Sequence, residues 1–236
     1  MKTMDLNKHK YFMLQILRDI YSDLELANAL GFKGGTALMF FYNLPRFSVD
    51  LDFNIIQPDK EKEAKIYQNI RNILLKYGQI DDEAQKFFGP ILVLDYGKGE
   101  RKLKVEISNR RQDCCYEVKT FMGINMLVMT VADMFANKLC ALLDRNELTN
   151  RDIFDCWFFM ENRTPVNKNF VENRMKMSFP DYLQNCINTL NNLSNKNLLN
   201  GIGDLIDEKM KNFVRTKLCA ETITLLQFYK EFPIVM

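Results

Sequence analysis

The sequence predicts an α+β chain, with strands and helices mixed in the N-terminal half and an all-helical C-terminal half. Three observations predict it. Polar and apolar residues alternate from Ser48 to Phe53 in "SVDLDFNII", as in a half-buried strand. The run "PILVLDYGKGERKLKVEISNR" reads as a hairpin, with strands over residues 91–96 and 102–108 around a Gly97-Lys98-Gly99 turn. From about residue 126 the apolar spacing becomes helical and stays so, which places a boundary near residue 125 and expects domains at 1–125 and 126–236.

Residues 8–30 carry Phe12, Leu14, Ile16, Leu17, Ile20, Leu24, Leu26 and Leu30 at broadly helical spacing, with Gly31 as a stop. A short strand fits residues 31–33. "GGT" then turns into a helix over 37–42, which Pro45 cannot continue. Asp59 caps a helix through Tyr77 with Ile66, Ile70, Ile73, Leu74 and Tyr77 inward, and Gly78 ends it. "TVAD" at 130–133 reads as a capping box for a helix through Leu143, and "TNRDIFDCWFFMEN" opens the next. Three or four more helices follow to Gln227, and the asparagine-rich "NCINTLNNLSNKNLLNG" reads as a helix with a loose end.

The 236 residues are 47% hydrophobic, with 18 Phe and 13 Met, enough for a bulky and adaptable core. A net charge of +2 excludes a chain that binds nucleic acid through bulk charge alone. From Arg163 to Lys217, however, nine Lys and Arg (163, 168, 174, 176, 196, 209, 211, 215, 217) face five acids. That excess suits either an RNA backbone or a solvated helical surface. No apolar run approaches the roughly 20 residues that span a bilayer. The N-terminal stretch lacks a signal-peptide pattern, so a cytoplasmic chain without a membrane partner is expected. Six cysteines without a CxxC pair read as core residues, and a single histidine, His9, argues against a zinc site or His-activated nucleophile.

The chemistry concentrates in "GFKGGTALMFFYNLPRFSVDLDFN", residues 31–54. Residues two apart on a strand share a face, so Asp50 and Asp52 project together while Leu51 and Phe53 face the core. The strand at 104–108 repeats the pattern, with Lys104, Glu106 and Ser108 on one side. If the two strands are neighbours, Asp50, Asp52 and Glu106 converge. Two carboxylates ~4 Å apart repel by ~4 kcal/mol at an effective dielectric near 20, and a divalent cation reverses that sign. Hard oxygen ligands suit Mg²⁺, as one or two ions. The alternative is a solvated strand face. Gly34 and Gly35 allow a tight turn and a backbone anion cradle. Thr36 offers a hydroxyl to phosphate or to its own helix cap, and Arg46 a fork for phosphate or a surface acid. Ser48, on the same strand face as Asp50, reads as bystander, positioner or phosphoryl acceptor.

"GGTAL…RFSVDLDF" resembles the first motif of the AbiEii-type nucleotidyltransferase toxins, within the DNA polymerase β-like nucleotidyltransferase superfamily. "KVEIS" at 104–108 resembles the strand with the third carboxylate, and "ADMFANKLCALLDRNELTNRDIFDCWFF" the later Lys…R-D-x-x-D segment, so the likeness covers about residues 30–160. It implies a nucleotidyltransferase-like mixed sheet flanked by helices at 1–125, and a helical domain at 126–236 contributing Lys138 and the Arg151–Asp155 segment. It also implies triphosphate on Gly34, Gly35 and Thr36, metal on Asp50 and Asp52, and Ser48 at the active-site serine position. By the same likeness Lys138 and Asp152 would be the second essential pair. Lys138 would point its charge at phosphate or merely snorkel, and Arg151 reaches Asp155 at i, i+4 as a functional or simply intrahelical pair. Glu106 departs from the Asp common at the third position, and serves as metal ligand or as base.

The implied activity is Mg²⁺-dependent transfer of NMP from an NTP to an acceptor such as RNA, for instance a tRNA 3′ end. The implied setting is the toxin of a toxin–antitoxin or abortive-infection system, with a cognate antitoxin as partner. The alternatives are NTP-dependent modification of a protein or of the chain itself at Ser48, and a catalytically silent nucleotide- or RNA-binding module.

Overall fold

The computed structural model describes residues 5–111, 113–145, 147–193 and 198–236; Lys196 and the 194–197 part of the asparagine-rich stretch lie outside them. The chain forms two compact units, Met1–Asn43 with Phe47–Met129, and Leu44–Arg46 with Thr130–Met236.

In the first unit the single helix expected over 8–30 is two. Asp5 caps α1 (Leu6–Ser22), and Asp23 interrupts it by accepting from the backbone N–H groups of Glu25 and Leu26, which starts α2 (Leu24–Ala29). A short acidic side chain that bonds its own following backbone competes with helix continuation. β1 (Leu30–Lys33) leads directly into α3 (Gly34–Phe41), so "GGT" is the first helical turn and not a loop before it. β2 (Asp50–Ile55) follows, then α4 (Lys60–Leu74), whose cap Asp59 accepts from Lys62 N–H.

Five more strands complete a seven-stranded sheet: β3 (Gln79–Lys86), β4 (Gly89–Asp95), β5 (Leu103–Ser108), β6 (Tyr116–Phe121) and β7 (Ile124–Met129). Their order is β3-β4-β5-β2-β1-β7-β6. β2 runs parallel to β5 and β1 to β7, while the remaining neighbours are antiparallel, giving a mixed sheet. The 91–96/102–108 hairpin is present as β4 and β5, but β3, β6 and most of β7 were not anticipated. β7 extends past residue 126, where helix was expected, to Met129. Met122 and Gly123, both with positive φ, form the tight turn between β6 and β7.

One face of the sheet is core. Phe32, Leu51, Phe53, Leu92, Leu94, Val105, Ile107 and Val128 are fully buried, together with Met13, Ile16, Leu17 and Ile20 of α1. Each such side chain contributes roughly 1.5–3 kcal/mol of burial. Because side chains alternate, this burial fixes which residues β2 and β5 present on the other face.

The second unit is helical: α5 (Val131–Asp144), α6 (Asn150–Glu161), α7 (Lys168–Met175), α8 (Phe179–Asn191), α9 (Glu208–Thr216) and α10 (Leu218–Glu231). Phe135 stacks on Phe159 with ring centres 4.8 Å apart, and Tyr229 meets Phe135 edge-on. The expected capping box at Thr130 is not made. Its hydroxyl donates to the Asp133 carboxylate at 3.0 Å, whose other oxygen accepts from Asn167 at 2.6 Å. Of the basic residues counted from Arg163 to Lys217, Lys168, Arg174 and Lys211 pair with Glu172, Asp144 and Glu208, which favours a solvated surface for that stretch. No helix among the described residues is long and apolar enough to cross a membrane.

Candidate active site

The parallel pairing of β2 with β5 sets Asp50 opposite Lys104 and Asp52 opposite Glu106, and the pairing of β1 with β2 sets Lys33 opposite Asp52. Five charged side chains therefore share the face opposite the core. Lys104 Nζ lies 3.6 Å from Asp50 Oδ2 and 3.3 Å from Glu106 Oε2. Burial opposes the charge on Lys104, yet Asp50, Asp52 and Glu106 together hold its ammonium above the ordinary lysine value. Burial pushes the Asp52 carboxyl upward, with Lys104 pulling against it and Glu106 and Asp50 pushing the same way. Burial lowers Lys33, with Asp52 and Glu106 opposing. Neither lysine was among the expected site residues, although the sequence places Lys104 on the strand face of Glu106.

Gly34 opens α3 with φ +79°, and a Cβ there would collide with the Asp52 carboxylate. Its glycine identity thus answers two demands, a left-handed backbone and room for Asp52. Lys33 at the N-cap offers no side-chain cap, so the first N–H groups of α3, beginning at Gly34 and Gly35, remain donors for an anion. Thr36 does not cap α3 through its side chain: its buried hydroxyl donates to the Asp50 carbonyl at 2.5 Å. It tethers α3 to the start of β2. Gly34→Ala is expected to cost about 1–2 kcal/mol of stability through the left-handed backbone. It should also lower activity more than that loss explains, because Asp52 must move; thermal unfolding and label transfer measured side by side check both.

Ser48 does not lie on the strand face with Asp50, because β2 begins only at Asp50; the serine precedes it and is 7% exposed. That burial disfavours its use as an acceptor. The adjoining Val49 carbonyl accepts from His9 Nε2 at 2.9 Å, and Tyr96 donates to His9 Nδ1 at 2.6 Å. Burial lowers the His9 pKa, so the imidazole is a neutral clamp on the segment leading into β2.

A second constellation lies wholly in the helical unit. Arg46 is not an exposed fork for phosphate: its side chain is 3% exposed and grips Asp155 through Nε at 2.6 Å and Nη2 at 2.7 Å. Lys138 reaches Asp155 at 2.7 Å and Asp152 at 3.2 Å, while Asp152 also pairs with Arg145 at 3.1 Å and accepts from Thr149 at 2.7 Å. Burial alone would raise Asp155, but Arg46 and Lys138 hold it down at about 2. Burial works against the Lys138 ammonium, and Asp155 and Asp152 more than restore it. The expected Arg151–Asp155 pair is absent among the described residues, since Asp155 is inward and already occupied on both oxygens.

Among the described residues, no group of three or more His, Cys, Asp or Glu side chains is placed to hold a metal ion. Asp50 and Asp52 nonetheless share a strand face as hard oxygen donors, a set that fits Mg²⁺ completed by phosphate oxygens and water. Glu106 is engaged by Lys104. A cavity of about 330 Å³ lined by Glu25, Leu26, Lys62 and Ile66 contains none of the site residues.

The fold has counterparts among solved structures. The JHP933 protein of Helicobacter pylori superposes with a TM-score of 0.62 at 21% identity, over 97% of this chain and 93% of that one. MenT4, a nucleotidyltransferase toxin from Mycobacterium tuberculosis H37Rv, gives a TM-score of 0.62 at 17% identity, over 94% and 84%. At these identities the likeness establishes the fold alone. No curated protein sequence matches significantly. The family model described as "Nucleotidyl transferase AbiEii toxin, Type IV TA system" matches residues 15–217, through both units. With its glycine-led helix and paired aspartates inside that match, the chain belongs to the AbiEii family of nucleotidyltransferase toxins.

Proposed function

We propose that this toxin nucleotidyltransferase is Mg²⁺-dependent and moves NMP from an NTP to a hydroxyl of an RNA, such as a tRNA 3′ end, releasing pyrophosphate. The observation that carries the reading is the strand register: Asp50 and Asp52 point to one side of the sheet, beside the uncapped start of α3. The N–H groups at Gly34 and Gly35 receive phosphate oxygens, aided by the helix dipole. Asp50 and Asp52 are the residues that would hold the metal ion. When bound, it supplies positive charge to the phosphoryl group as negative charge redistributes. Lys104 adds positive charge on the same face. The acceptor oxygen forms a bond to the α-phosphorus, the bridging bond to the β-phosphate breaks, and the acceptor proton passes to solvent. Positioning and electrostatics supply the rate, with no covalent protein intermediate.

Lys138 and Asp152 stand as the second functional pair by their motif, with Asp155 and Arg46 as the ion pair that fixes them. By this reading the chain works in the cytoplasm and is held in check by a cognate antitoxin, a setting that its membership of a toxin family supports. Purified protein incubated with each α-labelled NTP, Mg²⁺ and total RNA tests the reading. Label is expected on RNA and absent from the protein, Ser48 included. Label on protein alone, or on nothing with any NTP, overturns it.

A further inference from the structure

We propose that Lys104 takes the place of one divalent cation, so that the site binds a single metal ion on Asp50 and Asp52 while Glu106 serves as counter-ion to Lys104. The inference rests on the nucleotidyltransferase reading above and goes further, by fixing the number of ions and removing Glu106 from the ligands.

The argument is one of register. Lys104 is the cross-strand partner of Asp50, and Glu106 that of Asp52, in a parallel pairing that continues from Asp50 to Asn54. Lys104 is also paired on its other side, with Val93 of β4. Its Cα is thus fixed between two strands, directly beside Asp50, whichever rotamer its side chain takes. The ammonium sits between Asp50 Oδ2 at 3.6 Å and Glu106 Oε2 at 3.3 Å. An Mg²⁺ shared by those two carboxylates would need oxygens about 2.0–2.1 Å away, and so would claim the space that Lys104 fills. Among the described residues Lys104 makes ion pairs with Asp50 and Glu106 and none with Asp52, although its charge still acts on Asp52. Lys33 lies opposite Asp52 on β1, on the far side of the aspartate pair, but burial disfavours its charged form. The protein therefore sets a cation of its own, from β5, against Asp50 and Glu106 and leaves one opening for a metal, on the Asp50–Asp52 side.

Mn²⁺ binding followed by electron paramagnetic resonance, with a non-hydrolysable NTP analogue present, tests this without reference to turnover. Wild-type protein is expected to bind one Mn²⁺ per chain. Glu106→Gln should change its affinity by less than about threefold, whereas loss of a true ligand would weaken it by at least about tenfold. Lys104→Ala should admit a second Mn²⁺, and adding Glu106→Gln to it should return the count to one. Lys104→Gln replaces Lys104→Ala if thermal unfolding shows that the alanine variant is not folded. Two ions in the wild type, a tenfold loss in Glu106→Gln, or a single ion in the folded Lys104 variants would overturn the assignment while leaving the transferase reading intact. No Mn²⁺ on the wild type under any condition would remove both.

Discussion

Asp52→Asn is expected to lower label transfer by roughly 10²–10³-fold while leaving the midpoint of thermal unfolding unchanged or slightly raised. The two halves of this expectation have one cause. Asp52 is packed against Gly34 and shares its face with Asp50 and Glu106, and burial disfavours its ionised form. A neutral side chain of the same shape relieves that repulsion and removes a metal-binding oxygen. A residue held for architecture would behave the other way, losing stability with activity. Single-turnover transfer and circular dichroism melts on the same preparations decide between them, and a fall in stability without loss of transfer would refute the assignment. The pattern is that of a site whose chemistry opposes the stability of the fold.

Asp155→Ala should produce the opposite profile, a loss of roughly 3–5 kcal/mol because it leaves Arg46 and Lys138 charged and buried without their shared partner. For a chain of this size that corresponds to a melting midpoint lower by roughly 6–20 °C. The pH dependence follows from the folded value of about 2 against the ordinary aspartate value of 3.8. A carboxyl depressed by folding stabilises above its unfolded pKa, and that stabilisation disappears as pH falls through 3.8 towards about 2. Its size is about 2 kcal/mol. Chemical denaturation at pH 7 and pH 3 should therefore show a smaller gap between wild type and Asp155→Asn at the lower pH. An equal gap at both would mean that the pair contributes packing and not charge.

Much of this is legible in the residues, and what is not has identifiable causes. β2 announces itself because Leu51 and Phe53 alternate with Asp50 and Asp52, and α4 because Asp59 precedes a clean apolar stripe. β3, "QIDDEAQK", is an edge strand with little buried on either face, and its acidic residues blunt the edge while erasing the alternation. β7, "INMLVM", does alternate burial, but so short an apolar run with Leu and Met also fits a helix. Asp50 and Asp52 were visible as a pair because their spacing is local. Lys104 and Lys33 became neighbours of that pair only through strand pairing, and Arg46 met Asp155 across 109 residues of chain. No window along the sequence contains such contacts. The same holds for Thr36 and Ser48, whose hydroxyls look available until burial and the start of β2 are known.

The three residues Leu44–Arg46 carry a consequence for how this gene can be divided. They belong to the helical unit, although residues on both sides of them belong to the sheet unit. The polypeptide therefore passes between units three times, after Asn43, after Arg46 and after Met129. A split at Met129 would not release two modules. It would leave one fragment with an orphaned guanidinium and the other with an Asp155 lacking its strongest partner. Complementation from separately expressed halves, domain grafting and circular permutation at that point all meet the same obstacle. The two units are distinct as packed bodies but inseparable as lengths of chain.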